Sequence, residues 1–555
     1  MIRKIISGFI RTVKSYSITE FILTIIFAIL FIYALVNILA FYGYNSKNIY
    51  IEGTIGKVIS INPLFADLNE VDRDISRLVF SGLVKYNPET KDLLPDLADY
   101  TISDDGLIYT FKIKEGIKWH DNEYLTAQDI YYTYHDVIQS ENFQNSVIGS
   151  NFNKVSIEKK DDKTVIFKLN EPNAYFLSNM TIGILPYHIL KNIPVQNIIN
   201  ADFNKKPIGT GPFRFKSYNT ISDGVKVILK RFDDYYGKKP TIDEIDFLVY
   251  QNSDTLIKNL SKFNAIPKVS SDFANSLRNN ETIKMISYEL PQYTALFLNT
   301  KYEYLKDKET RMALLKAINI NELADMLVDR KPVGIGIFET EFNENLFKYD
   351  IAKSQSLLES KDYKIRNKND KYRKNKQGAE LIVPIIFLRY PAKSMMAEEM
   401  NKIANYISKK WEEIGVKTEI DFLPQDQFNE AVKNNDYGAV VAGESFSYDM
   451  DLFSFWHSTQ AASSKNTSGG LNFSNYANYS VDKLIEDVKT LFDKNKRIER
   501  LAQIVNYFRE DAPVLFLYRP VYYYATYSRF KPDKIKNFVY SADRFNNIAE
   551  WSAQP

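Results

Sequence analysis

The sequence predicts an α/β fold, in which strands and helices alternate along a chain with room for two or more domains. Apolar and largely polar residues alternate between Leu107 and Lys114, which is the period of a strand with one buried face. An apolar run at residues 381–388, a helical pattern at 397–414 and a second strand pattern at 416–422 give the strand, helix, strand order of an α/β lobe with parallel strands. The 555 residues, 45% of them hydrophobic, suffice for more than one core.

A turn and a helix start flank the alternating strand. Residues 103–106 read Ser-Asp-Asp-Gly, a cluster in which carboxylates can bond the backbone and glycine tolerates positive φ. Thr126 is followed three residues later by Asp129, which is a variant of the capping box, and apolar residues then recur at helical spacing. These signals predict a capped helix shortly after the strand.

The amino end carries a long uncharged segment. Its apolar part, from Phe21 to Tyr42, would form a helix about 33 Å long, against roughly 30 Å of bilayer hydrocarbon. Residues 1–20 carry four cations and one acid and have an apolar helical face. We therefore expect a cytoplasmic basic amphipathic segment at 1–20 and a transmembrane helix at 21–44. A cleaved signal peptide and a buried helix are the alternatives.

Composition and motif spacing argue against several classes of function. The chain has 71 basic and 69 acidic residues, so its net charge does not favour nucleic acid as a partner. Cysteine is absent, which excludes disulfides and thiolate metal sites. The histidines, His120, His135, His188 and His457, are not paired at metal-binding spacing, and no GxSxG elbow or Walker loop is present. The sequence therefore predicts no catalytic residue, no metal site and no cofactor.

The segment from Leu93 to Val137 reads LLPDLADYTISDDGLIYTFKIKEGIKWHDNEYLTAQDIYYTYHDV. It resembles the family 5 extracellular solute-binding proteins, the oligopeptide, dipeptide and nickel receptors of ABC importers. Asn122 stands where the family usually has glycine, and asparagine can also adopt the left-handed conformation of a turn. Further stretches similar to family motifs are PIGTGPF at Pro207–Phe213, Leu229–Tyr250 and Tyr293–Ile320.

The resemblance implies a two-lobed periplasmic-binding-protein-like fold (type II, cluster C) with an extra small domain, preceded in this chain by one transmembrane helix. The motif positions place lobe I at residues 48–92, 207–289 and 513–555, the extra domain II at 93–206, and lobe III at 290–512. PIGTGPF is interpreted as a crossover turn rather than a phosphate-binding loop, because strand patterns follow it instead of a helix.

The segment Tyr437–Thr459 would reach the cleft between the lobes. In peptide receptors of this family an Asp after the preceding strand binds the peptide α-amino group, and the corresponding position here is Phe446. Without a carboxylate, burying that ammonium costs on the order of several kcal/mol, unless Glu444 or Asp449 replaces it. The flat apolar faces of Phe446, Tyr448 and Trp456 would suit sugars, extended peptide backbones or aromatic groups of a ligand. The predicted ligand-binding residues are Asn62, Glu444, Ser445, Phe446, Ser447, Tyr448, Asp449, Trp456, His457, Phe516 and Tyr518, with core packing as the alternative for the phenylalanines and Tyr518.

The implied function is that of a membrane-anchored, extracytoplasmic substrate-binding protein of an ABC importer, not an enzyme. Such a protein captures oligopeptides or a related small-molecule solute by closing its lobes and delivers the ligand to permease and ATPase subunits. The alternative is a surface solute receptor or interaction module of the same fold that is not coupled to transport, and a hydrolase is a third hypothesis. The expected location is the cell membrane, single-pass, with the amino terminus in the cytoplasm.

Overall fold

The computed structural model describes most of the chain after the amino-terminal segment. The described residues are 26–27, 30–34, 48–269, 274, 277, 283–327, 329–332, 347–392, 394–462, 470–526 and 535–551. Within these ranges no helix is long and apolar enough to cross a membrane. The predicted basic segment at 1–20 and most of the predicted transmembrane helix at 21–44 lie outside the described residues, so the anchor stays a prediction.

Residues 48–289 hold, in the predicted division of the chain, the first two parts of lobe I and domain II. The described part of these residues has the strands β1 (Ile49–Ile55), β2 (Val84–Asn87), β3 (Asp92–Pro95), β4 (Ala98–Ile102), β5 (Ile108–Ile113), β6 (Ser156–Lys159), β7 (Thr164–Lys168), β8 (Phe213–Ile221), β9 (Gly224–Arg231), β10 (Glu244–Tyr250), β11 (Ala265–Val269) and β12 (Lys284–Glu289). Its α-helices are α1 (Glu70–Val79), α2 (Ala127–Tyr131), α3 (Ser146–Ser150), α4 (Tyr187–Leu190) and α5 (Ser253–Lys258), and a 3₁₀ helix covers Phe176–Thr181.

Residues 290–551 hold, in the same predicted division, lobe III and the last part of lobe I. The described part of these residues has the strands β13 (Gln292–Leu298), β14 (Arg330–Pro332), β15 (Ile382–Leu388), β16 (Lys417–Leu423), β17 (Ala439–Ser445) and β18 (Val514–Thr526). Its α-helices are α6 (Lys308–Lys316), α7 (Ile320–Met326), α8 (Ile351–Ser360), α9 (Met395–Glu413), α10 (Gln425–Asn434), α11 (Phe453–Trp456), α12 (Tyr479–Thr490) and α13 (Lys494–Asp511). A 3₁₀ segment at Ser541–Glu550 closes the described chain.

One long sheet runs through both lobes. Its strand order is β16-β15-β17-β13-β18-β11-β1-β10-β9-β8, and β12 and β14 also pair with β18. β15 lies parallel to β16 and to β17, with α9 connecting β15 to β16. This confirms the strand, helix, strand unit with parallel pairing. Domain II adds a separate sheet of order β4-β5-β7-β6.

Two extended segments carry the chain between the lobes. Residues 514–518 of β18 pair with β13 in lobe III, whereas residues 521–526 pair with β12 in lobe I. The other crossing is the short link Leu290–Pro291 between β12 and β13. Pro520 lies between the parts of β18 that pair with β13 and with β12, and it stands opposite Arg330 of β14. Small φ/ψ changes in these two segments would change the orientation of one lobe relative to the other.

Local sequence signals in domain II are confirmed. Tyr109 and Phe111 of β5 are buried, whereas Ile108 is exposed. At the start of α2 the Asp129 carboxylate accepts the backbone N–H of Thr126 at 2.9 Å, so the capping box is present. Asn122 adopts the left-handed conformation, with φ of 76°. Side-chain periodicity and short-range hydrogen bonding therefore determine these elements locally.

The glycines of PIGTGPF allow a close approach between two stretches of backbone. A Cβ at Gly209 would lie 1.9 Å from the carbonyl oxygen of Val79, at the end of α1. The N–H of Gly211 donates to that same oxygen at 2.8 Å. His120 stabilises the turn with two hydrogen bonds. Its Nδ1 accepts the Gly209 N–H at 3.2 Å, and its Nε2 donates to the Gly211 carbonyl at 3.0 Å. Strands β8 and β9 follow, as the pattern predicted.

Candidate functional site

A cavity of about 780 Å³ lies between lobe I, domain II and lobe III. This volume is within the range of roughly 300–1,000 Å³ that is usual for small-ligand pockets. Its walls combine aromatic rings with charges of both signs. The aromatic residues are Tyr86, Tyr100, Tyr175, Tyr288, Tyr448, Phe492 and Phe538, and the charged residues are Lys91, Asp92, Glu289, Asp449, Lys494, Arg497, Arg519 and Lys536. We refer to it as the interlobe cavity.

The loop after β17 brings lobe III to this cavity. Phe446, its first residue, turns into the lobe III core and packs against Tyr293 and Phe455 at ring distances of 5.9 and 5.6 Å. The next residues, Ser447, Tyr448 and Asp449, turn the other way and line the cavity. The reversal places three polar side chains opposite lobe I and domain II.

Tyr448 reaches across to lobe I. Its hydroxyl accepts a hydrogen bond of 2.8 Å from the Arg77 guanidinium and donates one of 2.6 Å to the Asp543 carboxylate. Its ring lies 4.7 Å from that of Tyr86. Burial raises the pKa of Tyr448 well above its usual value, so the hydroxyl keeps its proton and can serve as acceptor and donor at once.

Asp449 links lobe III to domain II. Its carboxylate accepts hydrogen bonds from the hydroxyl of Ser447, at 2.7 Å, and from the hydroxyl of Ser178. Burial raises the pKa of Asp449 above its usual value, and these hydrogen bonds oppose that shift. Because the two hydroxyls that bond to it are neutral, a cation entering the cavity would be a stronger partner for this carboxylate.

Glu444 lies in a different environment from Asp449. It is buried in lobe III, accepts the hydroxyl of Tyr293, and does not line the interlobe cavity. Burial raises the pKa of Glu444 to about 8, and among the described residues its Oε1 has no hydrogen-bond partner. The structure therefore brings Asp449, but not Glu444, to the space where a ligand ammonium could bind.

The predicted aromatic residues other than Tyr448 pack inside lobe III. Trp456 lies 4.3 Å from Phe508, ring to ring, and Phe516 lies 4.8 Å from Tyr293. Tyr518 is buried and donates its hydroxyl to Glu399. Trp456 ends the short helix α11, whereas Phe516 and Tyr518 lie in β18. None of them lines the interlobe cavity.

The remaining predicted residues make their hydrogen bonds away from the interlobe cavity. Asn62 is buried and donates to the side chain of Asn204 at 2.9 Å. The His457 ring is 2.8 Å from the Thr459 hydroxyl and stacks on Phe453. Ser445 is exposed beside Gln292. None of these three predicted residues lines the interlobe cavity.

The sequence did not indicate which residues of lobe I and domain II bond to Tyr448 and Asp449 from the other side of the cavity. Arg77, Ser178 and Asp543 each hydrogen-bond to Tyr448 or Asp449, although 371, 271 and 95 residues separate the bonded pairs. No motif spacing relates positions so far apart. Helix α1 carries two arginines, Arg73 and Arg77, and the sequence does not indicate which of them bonds to lobe III.

Comparisons with known proteins agree with this architecture. Residues 92–466 match the family described as bacterial extracellular solute-binding proteins, family 5 Middle. The chain is 28% identical over 519 residues to the oligopeptide-binding protein AppA of Bacillus subtilis, covering 90% of each chain. It is 24% identical over 475 residues to the dipeptide-binding protein of Escherichia coli, covering 79% of this chain and 83% of that one.

A solved structure supports the fold independently. The structure of AppA from Bacillus subtilis in complex with a nonapeptide superposes with a TM-score of 0.67 at 24% identity, covering 92% of this chain and all of that one. The family match covers more than half of the residues, and the likeness in fold extends over both lobes. This chain therefore belongs to the bacterial extracellular solute-binding proteins of family 5.

Proposed function

We propose that this protein captures peptides in the interlobe cavity and delivers them to the permease of an ABC importer. The observation that carries the proposal is the position of the cavity, which is lined by residues of both lobes on either side of the β12–β13 and β18 crossings. A ligand there contacts both lobes at once, so it stabilises the closed arrangement more than the open one. The relatives named for oligopeptides and dipeptides support a peptide ligand.

The lining suits a peptide with both of its termini charged. Asp449 offers a carboxylate for an ammonium group, and Arg497 and Arg519 offer guanidinium groups for a carboxylate. Tyrosine and phenylalanine rings between them supply apolar area together with hydroxyl groups. In this proposal Asp449 takes the role of the carboxylate that is absent at Phe446.

Closure of the lobes involves direct contacts as well as the ligand. Tyr448 and Asp449 of lobe III bond to Asp543 of lobe I and Ser178 of domain II. The backbone N–H of Ala174 donates to the Lys489 carbonyl at 2.7 Å, which adds a second contact between domain II and lobe III. Such contacts lower the free energy of the closed form, and the ligand supplies the remaining bias.

We place the two lobes outside the cytoplasm and tether them by the apolar segment at residues 21–44. The support is in the sequence: the segment is long enough to span the bilayer, and the cations of residues 1–20 precede it. No cysteine is available for a lipid anchor. Protease protection of the amino terminus in intact cells, with cleavage of the lobes, would support this topology, and cleavage of neither would contradict it.

The direct test is mass spectrometry of molecules released when the purified full chain, held in mild detergent, is denatured. We expect a mixture of peptides, and a single non-peptide species would contradict the proposal. A peptide present at 100 times its dissociation constant should add about 2.7 kcal/mol to the free energy of unfolding, which a thermal scan can detect.

A matched pair of variants separates the site from general effects. The site variant is Asp449→Asn, which keeps the size of the side chain and removes its charge. Its control is Glu444→Gln, because Glu444 is buried away from the interlobe cavity. Asp449→Asn should weaken binding of peptides with a free amino terminus by roughly tenfold or more, as expected for a charge-assisted hydrogen bond, and should affect amino-acetylated peptides less. Equal effects on both kinds of peptide would contradict the role of Asp449.

A further inference from the structure

A second cavity, of about 510 Å³, adjoins the interlobe cavity. It lies between lobe I and domain II, where Asp67, Arg73 and Asn151 contribute to its wall. Ser178, Ser447 and Tyr448 line both cavities. These three residues therefore stand between the two spaces, and Tyr448 is the largest of them.

Contacts on both sides hold the partition formed by Ser178, Ser447 and Tyr448 in place. The Tyr448 hydroxyl is fixed between Arg77 and Asp543, at 2.8 and 2.6 Å, and the Tyr540 ring meets the Tyr448 ring edge-on at 5.3 Å. On the domain II side, Asp449 bonds to Ser178. A side chain held by hydrogen bonds and by rings does not turn aside without losing those contacts.

We propose that Tyr448 limits the length of the peptide that this protein accepts, by closing the interlobe cavity against the second cavity. This inference rests on the proposed function and assigns a specificity-determining residue to it. A peptide that fits the interlobe cavity leaves Tyr448 in place. A longer peptide has to displace the Tyr448 ring and break the hydrogen bonds of Tyr448 to Arg77 and Asp543. The affinity for peptides should therefore fall at the length at which the peptide reaches this ring.

The second cavity defines what a longer ligand would meet. Its wall includes the charged residues Arg73, Arg77, Lys85 and Asp96. Once the ring is removed, the two cavities become continuous, which adds the roughly 510 Å³ of the second cavity to the space open to a ligand. The charged and polar lining of that space favours polar side chains on the added residues.

The test compares the full-length protein with its Tyr448→Ala and Tyr448→Phe variants. The probes are alanine-rich peptides with free termini that grow by one residue at a time, and the readout is the dissociation constant of each. We expect a step in the wild-type series, at which affinity drops by roughly tenfold or more. The Tyr448→Ala series should have its step at a greater length, whereas Tyr448→Phe keeps the ring and should keep the wild-type step while binding all lengths more weakly.

The outcomes separate the inference from the function on which it rests. Peptides bound by the wild type with the same step in Tyr448→Ala would overturn the inference and leave peptide capture intact. Binding of no peptide by the wild type would overturn the proposed function itself. If Tyr448→Ala fails to fold, the released peptides of Tyr448→Leu are measured instead, since leucine keeps apolar volume but is shorter than tyrosine, and longer peptides than in the wild type are expected.

Discussion

The hydroxyl of Tyr448 in lobe III donates a hydrogen bond of 2.6 Å to the carboxylate of Asp543 in lobe I. Arg77 stands beside both, with its guanidinium 2.8 Å from the hydroxyl and 3.8 Å from the carboxylate. The three side chains are drawn from both lobes, so the network exists only when the lobes are closed. Its strength therefore contributes to the balance between open and closed forms.

Replacing Tyr448 by phenylalanine should favour the open form. The variant loses hydrogen bonds to two charged groups, each worth about 1.5–3 kcal/mol at most, and leaves the ring contacts in place. We expect a larger radius of gyration for the ligand-free protein in small-angle X-ray scattering and weaker ligand binding. Tyr437→Phe is the matched control, since the Tyr437 hydroxyl donates a partly buried hydrogen bond of 2.7 Å to the backbone carbonyl of Phe473 within lobe III. An identical change in both variants would argue against an interlobe role.

The buried carboxyl of Glu444 should make lobe III less stable at alkaline pH. Its pKa is raised by burial from 4.5 to about 8, so the folded protein holds a proton that the unfolded chain releases above pH 4.5. The free energy of unfolding therefore falls as pH rises through this window, by about 5 kcal/mol at most. Glu444→Gln keeps an acceptor for Tyr293 and should lose this dependence, which urea denaturation at pH 5 and pH 8 would reveal. A wild-type slope retained in the variant would refute this origin.

The buried imidazole of His120 should make the protein less stable at acidic pH. Burial lowers the pKa of His120 from 6.5 to about 4, because the charged imidazolium loses its hydration in the interior. As pH falls from 6.5 towards 4, the unfolded chain takes up a proton that the folded protein does not, and about 3 kcal/mol of stability is lost. His120→Asn cannot titrate, so the difference between its unfolding free energy and that of the wild type should shrink over this range. A constant difference would contradict the assignment.

Gly209 should not tolerate a side chain. A Cβ there would lie 1.9 Å from the Val79 carbonyl oxygen, a backbone atom that cannot turn aside. We expect Gly209→Ala to cost at least about 1–3 kcal/mol, the range of overpacking, or to prevent folding. Gly443→Ala is the control, because its nearest neighbour would be 3.6 Å from the new Cβ. Thermal unfolding of the two variants gives the comparison, and equal melting temperatures would rule out the predicted clash.

The regular elements with strong local signals could be predicted from the sequence. The alternation in β5, the capping box of α2 and the turn at Asn122 depend on residues a few positions apart, and the order of β15, α9 and β16 follows from hydrophobic periodicity. The resemblance to a family depended on such stretches and is supported by the family match. Local patterns carry enough information for these features because their hydrogen bonds close within one element.

The positions of the candidate site residues could be predicted only in part. Ser447, Tyr448 and Asp449 line the interlobe cavity, whereas Glu444 and Phe446, in the same short segment, turn into the lobe III core. In an extended segment neighbouring side chains alternate between two faces, and the sequence does not state which face the helices cover.

The amino-acid sequence by itself therefore determined the class of fold, the local elements and the family to which this protein belongs. The tertiary structure decided which acid reaches the cavity and which tyrosine crosses to lobe I. The physical reason is that Arg77, Ser178 and Asp543 meet the loop after β17 only when two crossing strands bring distant parts of the chain together. Contacts of that kind depend on the relative placement of whole lobes, and a short pattern of residues does not determine that placement.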